Sequence, residues 1–185
     1  MLRDVIESYV PFCEQEEVDR REILRLMDTG MDLMHRDFPA HFSASAWVVS
    51  PDREHILMAH HRIYHAWSWL GGHADGEEDL LSVAVREVQE ECGASRVRVV
   101  SQKILSLEIL PVQGHVKRGV WVSSHQHLNL TYLLEVSRDA QVHAREEENT
   151  AVRWFTLSEA ETVPEEAWMC EQVYAKLNRR LRSFP

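Results

Sequence analysis

Apolar residues change their spacing several times along this chain, and each change predicts a change of element. Leu2, Val5, Ile6 and Tyr9 recur at helical spacing, and Val18, Leu24 and Met27 follow on a second amphipathic pattern that ends near Thr29 and Gly30. Residues 1–40 are therefore predicted to form a helical N-terminal extension packing on the core. From His41 the texture becomes strand-like: HFSASAWVVS and HILMAHH are short apolar runs separated by the turn signal SPDRE.

WSWLGGHADGEE then predicts a glycine-containing loop, DLLSVAVREVQEEC a helix, and Gly93 its stop in a left-handed conformation. RVRVVSQKILSLEIL and HLNLTYLLEV predict strands on either side of a polar loop, QGHVKRGVWVSSHQ, and VRWFTL a further short strand. In PEEAWMCEQVYAKLNRRLR, the residues Cys170, Val173, Tyr174, Leu177 and Leu181 make one apolar stripe, with Pro164 and glutamates at its start and arginines at its end. Strands mixed with helices in this order predict a layered α/β or α+β sandwich.

Composition narrows the function. At 185 residues the chain suits one core. A formal net charge of -10 argues against a protein that holds nucleic acid by bulk electrostatics. An acidic protein that binds a phosphorylated small molecule needs local cations, either basic side chains or metal ions. Cys13, Cys92 and Cys170 lack CxxC spacing, no apolar run reaches the length of a bilayer span, and MLRDVIESYV does not resemble a secretion signal. A reducing cytoplasm is the expected compartment, with no membrane partner.

The central helix carries the chemistry. At about 100 degrees per residue, Glu87, Glu90 and Glu91 share one arc, while Leu81, Ala84, Val85, Val88 and Cys92 share its neighbour. Carboxylates held close together repel one another and, near a helix C-terminus, oppose the macrodipole. A hard divalent cation reverses the sign of that interaction. A solvated acidic face is the ordinary alternative for such a helix taken alone.

The longer spacing decides between them. From 72 to 94 the sequence GHADGEEDLLSVAVREVQEECGA resembles the signature of the Nudix hydrolases: Gly72, Glu78, Arg86, Glu87, Glu90, Glu91 and Gly93 fill the fixed positions, and Val88 and Ala94 the hydrophobic ones. A chance match at seven fixed positions is on the order of one in a million for a chain of this length. The resemblance implies a Nudix-type α/β/α sandwich with a mixed sheet over residues 41–185, the C-terminal helix included. It also implies hydrolysis of the diphosphate linkage of a nucleoside diphosphate joined to another group, with Mg2+ or Mn2+ as cofactor.

Carried over by position, the resemblance implies that Glu87, Glu90 and Glu91 hold the metal, with the carbonyl of Gly72, and that Glu78 and Arg86 form an ion pair bracing the loop to the helix. Glu90 and Glu91 are also catalytic candidates. A glutamate outside the motif is implied to complete the site or act as base, and AREEENTAVRWF offers Glu147 or Glu148 ahead of Glu146.

Other candidates come from the residues themselves. Lys117 and Arg118 are adjacent cations suited to a phosphate, or members of an ordinary exposed loop. His125 and His127 alternate, so on a strand both point to one face; with His73 they are candidates to line the pocket or, as imidazoles, to hold zinc. Trp67 and Trp69 suit a base-stacking wall or a core layer, and Trp69 is the one assigned to substrate.

Within the resemblance, an isopentenyl diphosphate isomerase needs a cysteine early in the sheet, and HFSASAWVVS has none. A nucleotide-sensing protein without catalysis is expected to show a degraded motif, whereas this one is intact. Pro111 favours a nucleoside diphosphate sugar such as ADP-ribose, with pyrophosphate release from nucleoside triphosphates as the alternative. A homodimer is a further expectation.

Overall fold

The computed structural model describes residues 1–36, 39–117 and 119–184. Seven of its strands form one sheet: β1 (Ala40–Val49), β2 (His55–His61), β3 (Ala66–Ser68), β4 (Leu70–His73), β5 (Arg98–Val112), β8 (His125–Glu135) and β9 (Asn149–Thr156). The path β3-β2-β1-β8-β5 is extended by β4 on β1 and β9 on β2. Its pairs are antiparallel apart from β1 with β8, which run parallel over the whole length of β1, so the sheet is mixed.

Alternation along β1 builds two apolar layers. Phe42, Ala44, Ala46 and Val48 pack with Val83, Ala84, Val88 and Cys92 of helix α3 (Leu80–Cys92). Trp47 and Val49 face the other way, onto Cys170, Val173, Tyr174, Leu177 and Leu181. The predicted C-terminal stripe is therefore buried as a unit. It begins at Ala167 rather than at Pro164, and Cys170–Tyr174 form a π-helical turn between two α-helical segments, Ala167–Met169 and Ala175–Ser183.

Helix α3 is bounded by local chemistry. Asp79 caps its start by accepting from the Ser82 N–H at 3.2 Å, and Gly93 ends it at φ 67° with its N–H donating to the Gln89 carbonyl. Glu87, Glu90 and Glu91 thereby stand on one helix capped at both ends.

Helices α1 (Leu2–Ser8) and α2 (Glu14–Met27) behave differently from the expected stripe. Val18 is 47% exposed, and α2 buries Glu16, Ile23 and Leu26 instead. The reason is the edge strand it faces: Asp19 accepts the Ile109 N–H of β5 at 3.0 Å, so the inward face of α2 is half polar. A helix supplying acceptors to an edge strand occupies hydrogen-bonding groups that would otherwise invite another strand.

Two segments expected to be loops are strands. WSWLGGHADGEE holds the end of β3 and all of β4, and β4 pairs with β1 from Ser43↔His73 to Ala46↔Leu70. The polar stretch after β5 holds a hairpin, β6 (His115–Lys117) with β7 (Val120–Val122). Among the described residues no helix is long and apolar enough to cross a membrane.

Candidate active site

The site is the seam where α3 presses on β4. Glu87 and Glu91 lie one helical turn apart, and each meets one glycine of Gly71-Gly72. The Gly71 N–H donates to Glu91 Oε2 at 2.9 Å. A Cβ at Gly72 would sit 2.4 Å from the Glu87 carboxyl carbon, so only a residue without a side chain lets that carboxylate reach the strand.

Glu91 is 6% exposed, and its other oxygen accepts from the Asn149 amide at 3.3 Å. Burial pushes its carboxyl up to about 8; the two hydrogen bonds offset part of this, while Glu87 and Glu148 add to it. Burial also raises Glu87, with Arg86 opposing and Glu90 and Glu148 reinforcing. Arg86 lies 3.4 Å from Glu87. Glu90 is exposed and pairs with Arg145 at 2.8 Å, and Arg145 also reaches Glu148 at 3.7 Å.

These positions revise several expectations. Glu87, Glu90 and Glu91 share a face but do not converge tightly: among the described residues the group of potential metal ligands within 4.8 Å of one another is His41, His73 and His127. Mutual repulsion and separate partners spread the acids, with Glu90 turned to Arg145 and Glu91 to the strand. The Glu78–Arg86 ion pair is not formed. Glu78 is exposed on the loop before α3, and Arg86 lies beside Glu87 instead.

Outside the motif, Glu148 is the acid of its run that raises both Glu87 and Glu91, while Glu146 and Glu147 are exposed. Lys117 is on β6, and its charge is felt by His61 and His73; Arg118 lies outside the described residues. His125 and His127 share a face of β8, with their Nε2 atoms 3.2 Å apart, and His73 lies edge-on to His127 at 4.9 Å. Burial holds His73 down to about 3 and His127 to about 2. Trp69 packs edge-on against Tyr174 at 5.8 Å and Trp67 against Phe155 at 4.9 Å, which makes both rings parts of the apolar layer rather than an open stacking wall.

Four further residues have no forewarning in the pattern. Asn149 holds Glu91, Arg145 holds Glu90, and Arg36, paired with Asp75, feels Glu87 and Glu148. His41 joins the histidines through the register of β1 with β8. Each becomes a neighbour by long-range pairing; only the adjacency of Arg145 and Asn149 to the Glu146–Glu148 acids was visible in the chain.

The donor set suits a hard cation. Carboxylate oxygens and a backbone carbonyl favour Mg2+ or Mn2+ over softer metals, and the fit of Glu87 against Gly72 brings a carboxylate to that backbone. Glu87 and Glu91, with Glu90 once it leaves Arg145, are the side chains that would hold the ion.

A family model described as the NUDIX domain matches residues 39–177. The chain belongs to the Nudix family. It is 30% identical over 106 residues to the asymmetrical bis(5'-nucleosyl)-tetraphosphatase of Rattus norvegicus, a stretch covering 57% of this chain and 65% of that protein. Solved Nudix-fold structures align over most of the chain. An Ap4A hydrolase binary complex from C. elegans matches at TM-score 0.54 and 20% identity, covering 77% of this chain and 96% of that one. A MutT protein from Methanosarcina mazei Go1 matches at TM-score 0.56 and 18% identity, covering 80% and 98%. These likenesses establish the Nudix α+β fold with its mixed sheet.

Proposed function

We propose that this Nudix chain hydrolyses the diphosphate linkage of a nucleotide joined to a second moiety, with Mg2+ or Mn2+ at the seam of α3 and β4. The observation that carries the reading is the docking of Glu87 and Glu91 onto Gly72 and Gly71. A helix that places two carboxylates on the backbone of a strand, one of them where a Cβ of Gly72 would stand, builds an oxygen site at a fixed place. The family and the tetraphosphatase relative support phosphoanhydride chemistry there.

When bound, the divalent cation offsets the phosphate charges and activates the attacking water. The chain's own residues do the rest. Asn149 and the Gly71 N–H hold Glu91 in one orientation, and Glu87 lies against Gly72. Glu148, which senses both acids, accepts the proton as the water oxygen bonds to phosphorus and the P–O bridge breaks. The leaving oxygen departs on the second phosphate. Arg36, which feels Glu87 and Glu148, contributes positive charge near the rim.

The rat relative makes dinucleoside tetraphosphates the first substrates to try. ADP-ribose belongs to the same class of linked nucleotides, and nucleoside triphosphates test the pool-sanitation alternative. Incubation of each with the purified chain and Mg2+ or Mn2+, followed by chromatography of the nucleotides, should show metal-dependent cleavage of a linked nucleotide. Failure to consume any phosphoanhydride with either metal would overturn the proposal.

A further inference from the structure

The face of the sheet opposite α3 carries a different cluster. Residues alternate along β4, so Gly72 faces Glu87 while His73 points the other way. On that side His41 of β1 stands beside His127 of β8 in the parallel register, and His73 pairs across from Ser43, two residues along β1 from His41. The three rings pack with centroids 4.9, 5.1 and 5.2 Å apart. One nitrogen from each lies within 4.8 Å of the others.

A fourth ring completes the group. His125 stacks on His41 with centroids 5.1 Å apart, and its Nε2 lies 3.2 Å from that of His127. Zinc bound tetrahedrally at about 2.0–2.1 Å separates its ligand nitrogens by about 3.3 Å. The His125–His127 spacing is thus already that of two ligands on one ion. The other nitrogens need to close by roughly an ångström or more, which rotation about the side-chain bonds supplies.

We propose that His41, His73 and His127 form an imidazole site for one divalent transition metal of the zinc class, separate from the carboxylate seam, with His125 as the fourth ligand. The donors select the metal: neutral imidazole nitrogens are borderline ligands that suit zinc, cobalt, nickel or copper, whereas magnesium and manganese prefer oxygen. The carboxylate seam has the opposite preference, so the two sites sort metals by ligand chemistry although a single strand separates them. Because the ligands come from β1, β4 and β8, the ion ties together the strands on which Gly71 and Gly72 are held.

The test uses the full chain stripped of metal with a chelator and reloaded with zinc or cobalt. Metal analysis after dialysis should give one retained equivalent of zinc, and cobalt should produce the intense visible absorption of a four-coordinate site. His127→Gln and His73→Asn should each weaken zinc binding by at least about a hundredfold. Glu87→Gln should leave it unchanged, while circular dichroism checks that the variants fold. Substoichiometric zinc in the wild-type chain, or a weak six-coordinate cobalt spectrum, would overturn the proposal without any variant. Zinc retained by the histidine variants and lost by Glu87→Gln would place the ion in the carboxylate seam and overturn it too.

Discussion

Among the described residues, buried glutamates lie in two settings with opposite electrostatics. Glu16 of α2 and Glu108 of β5 share Lys176, whose ammonium lies 3.1 and 2.8 Å from their oxygens. Glu16 also accepts from Tyr9, the Phe12 N–H and Ser106 at 2.6–2.8 Å. Burial alone would raise its carboxyl, but Lys176 and these donors hold it below the ordinary glutamate value. Glu91 is buried almost as deeply and is pushed up to about 8, because its donors are a single N–H and an amide and its charged neighbours are other acids. Folding has supplied a buried cation to one cluster, whereas the cations near the other, Arg36, Arg86 and Arg145, lie at its exposed rim. The first pattern is architecture; the second is what a cation-binding site requires.

The comparison breaks most visibly at its structural half. Lys176→Met leaves Glu108 buried without its counter-charge and Glu16 with Arg180 alone at 3.9 Å, and should destabilise the fold by about 3–5 kcal/mol. Urea unfolding followed by circular dichroism measures it, and a loss below about 1 kcal/mol would mean that Lys176 is not the group that offsets them.

At the other cluster the same logic predicts activity lost with stability kept. Glu91→Gln preserves the shape and an acceptor for the Gly71 N–H, and it removes a charge the metal-free fold disfavours. Turnover should fall on the order of a thousandfold, the scale of losing a preorganised charge-stabilising group, while the melting temperature stays level or rises. Near wild-type hydrolysis by this variant would remove the metal assignment.

Glu148 and Glu147 sharpen the boundary of the site. Of its run, Glu148 is the acid that weighs most on both Glu87 and Glu91, so Glu148→Gln should cost about a hundredfold in kcat, the usual scale for a general base, and Glu147→Gln little. Equal effects of the two substitutions would mean that the base lies elsewhere.

How far the chain revealed this depended on range. Helix α3 and its Gly93 stop were legible because they are set by neighbours a few residues apart, although Asp79, read as the first helical residue, is the cap. The C-terminal stripe was legible for the same reason. Strands β3 and β4 were not, since a short segment with two glycines has no alternation and becomes a strand only by pairing with β1. The lock at Lys176 joins residues 160 positions apart in α2 and the C-terminal helix, and nothing local marks Glu16 for burial. The motif gave the acids their place, yet the expected Glu78–Arg86 pair is replaced by Arg86 beside Glu87, a choice made by side-chain geometry rather than spacing.

A smaller effect asks whether burial without a partner charge leaves a trace on the basic side of the same comparison. His61, at the end of β2, accepts the Ile63 and Tyr64 N–H groups at Nδ1, at 3.1 and 3.3 Å, as only a neutral ring can. Burial lowers it to about 4, with Lys117 and its histidine neighbours adding to the effect. Well above pH 6.5, by about pH 8, the ring is neutral in both folded and unfolded chains, so it contributes almost nothing to the pH dependence there. As pH falls towards about 4, the unfolded chain takes up a proton that the folded chain refuses, and stability drops. The loss between pH 7 and pH 6 should be under about 1 kcal/mol. His61→Asn keeps an acceptor for the two N–H groups and does not titrate, so its stability should fall less steeply than that of the wild-type chain over this window. Parallel slopes in urea unfolding at the two pH values would show that burial at His61 exerts no such hold.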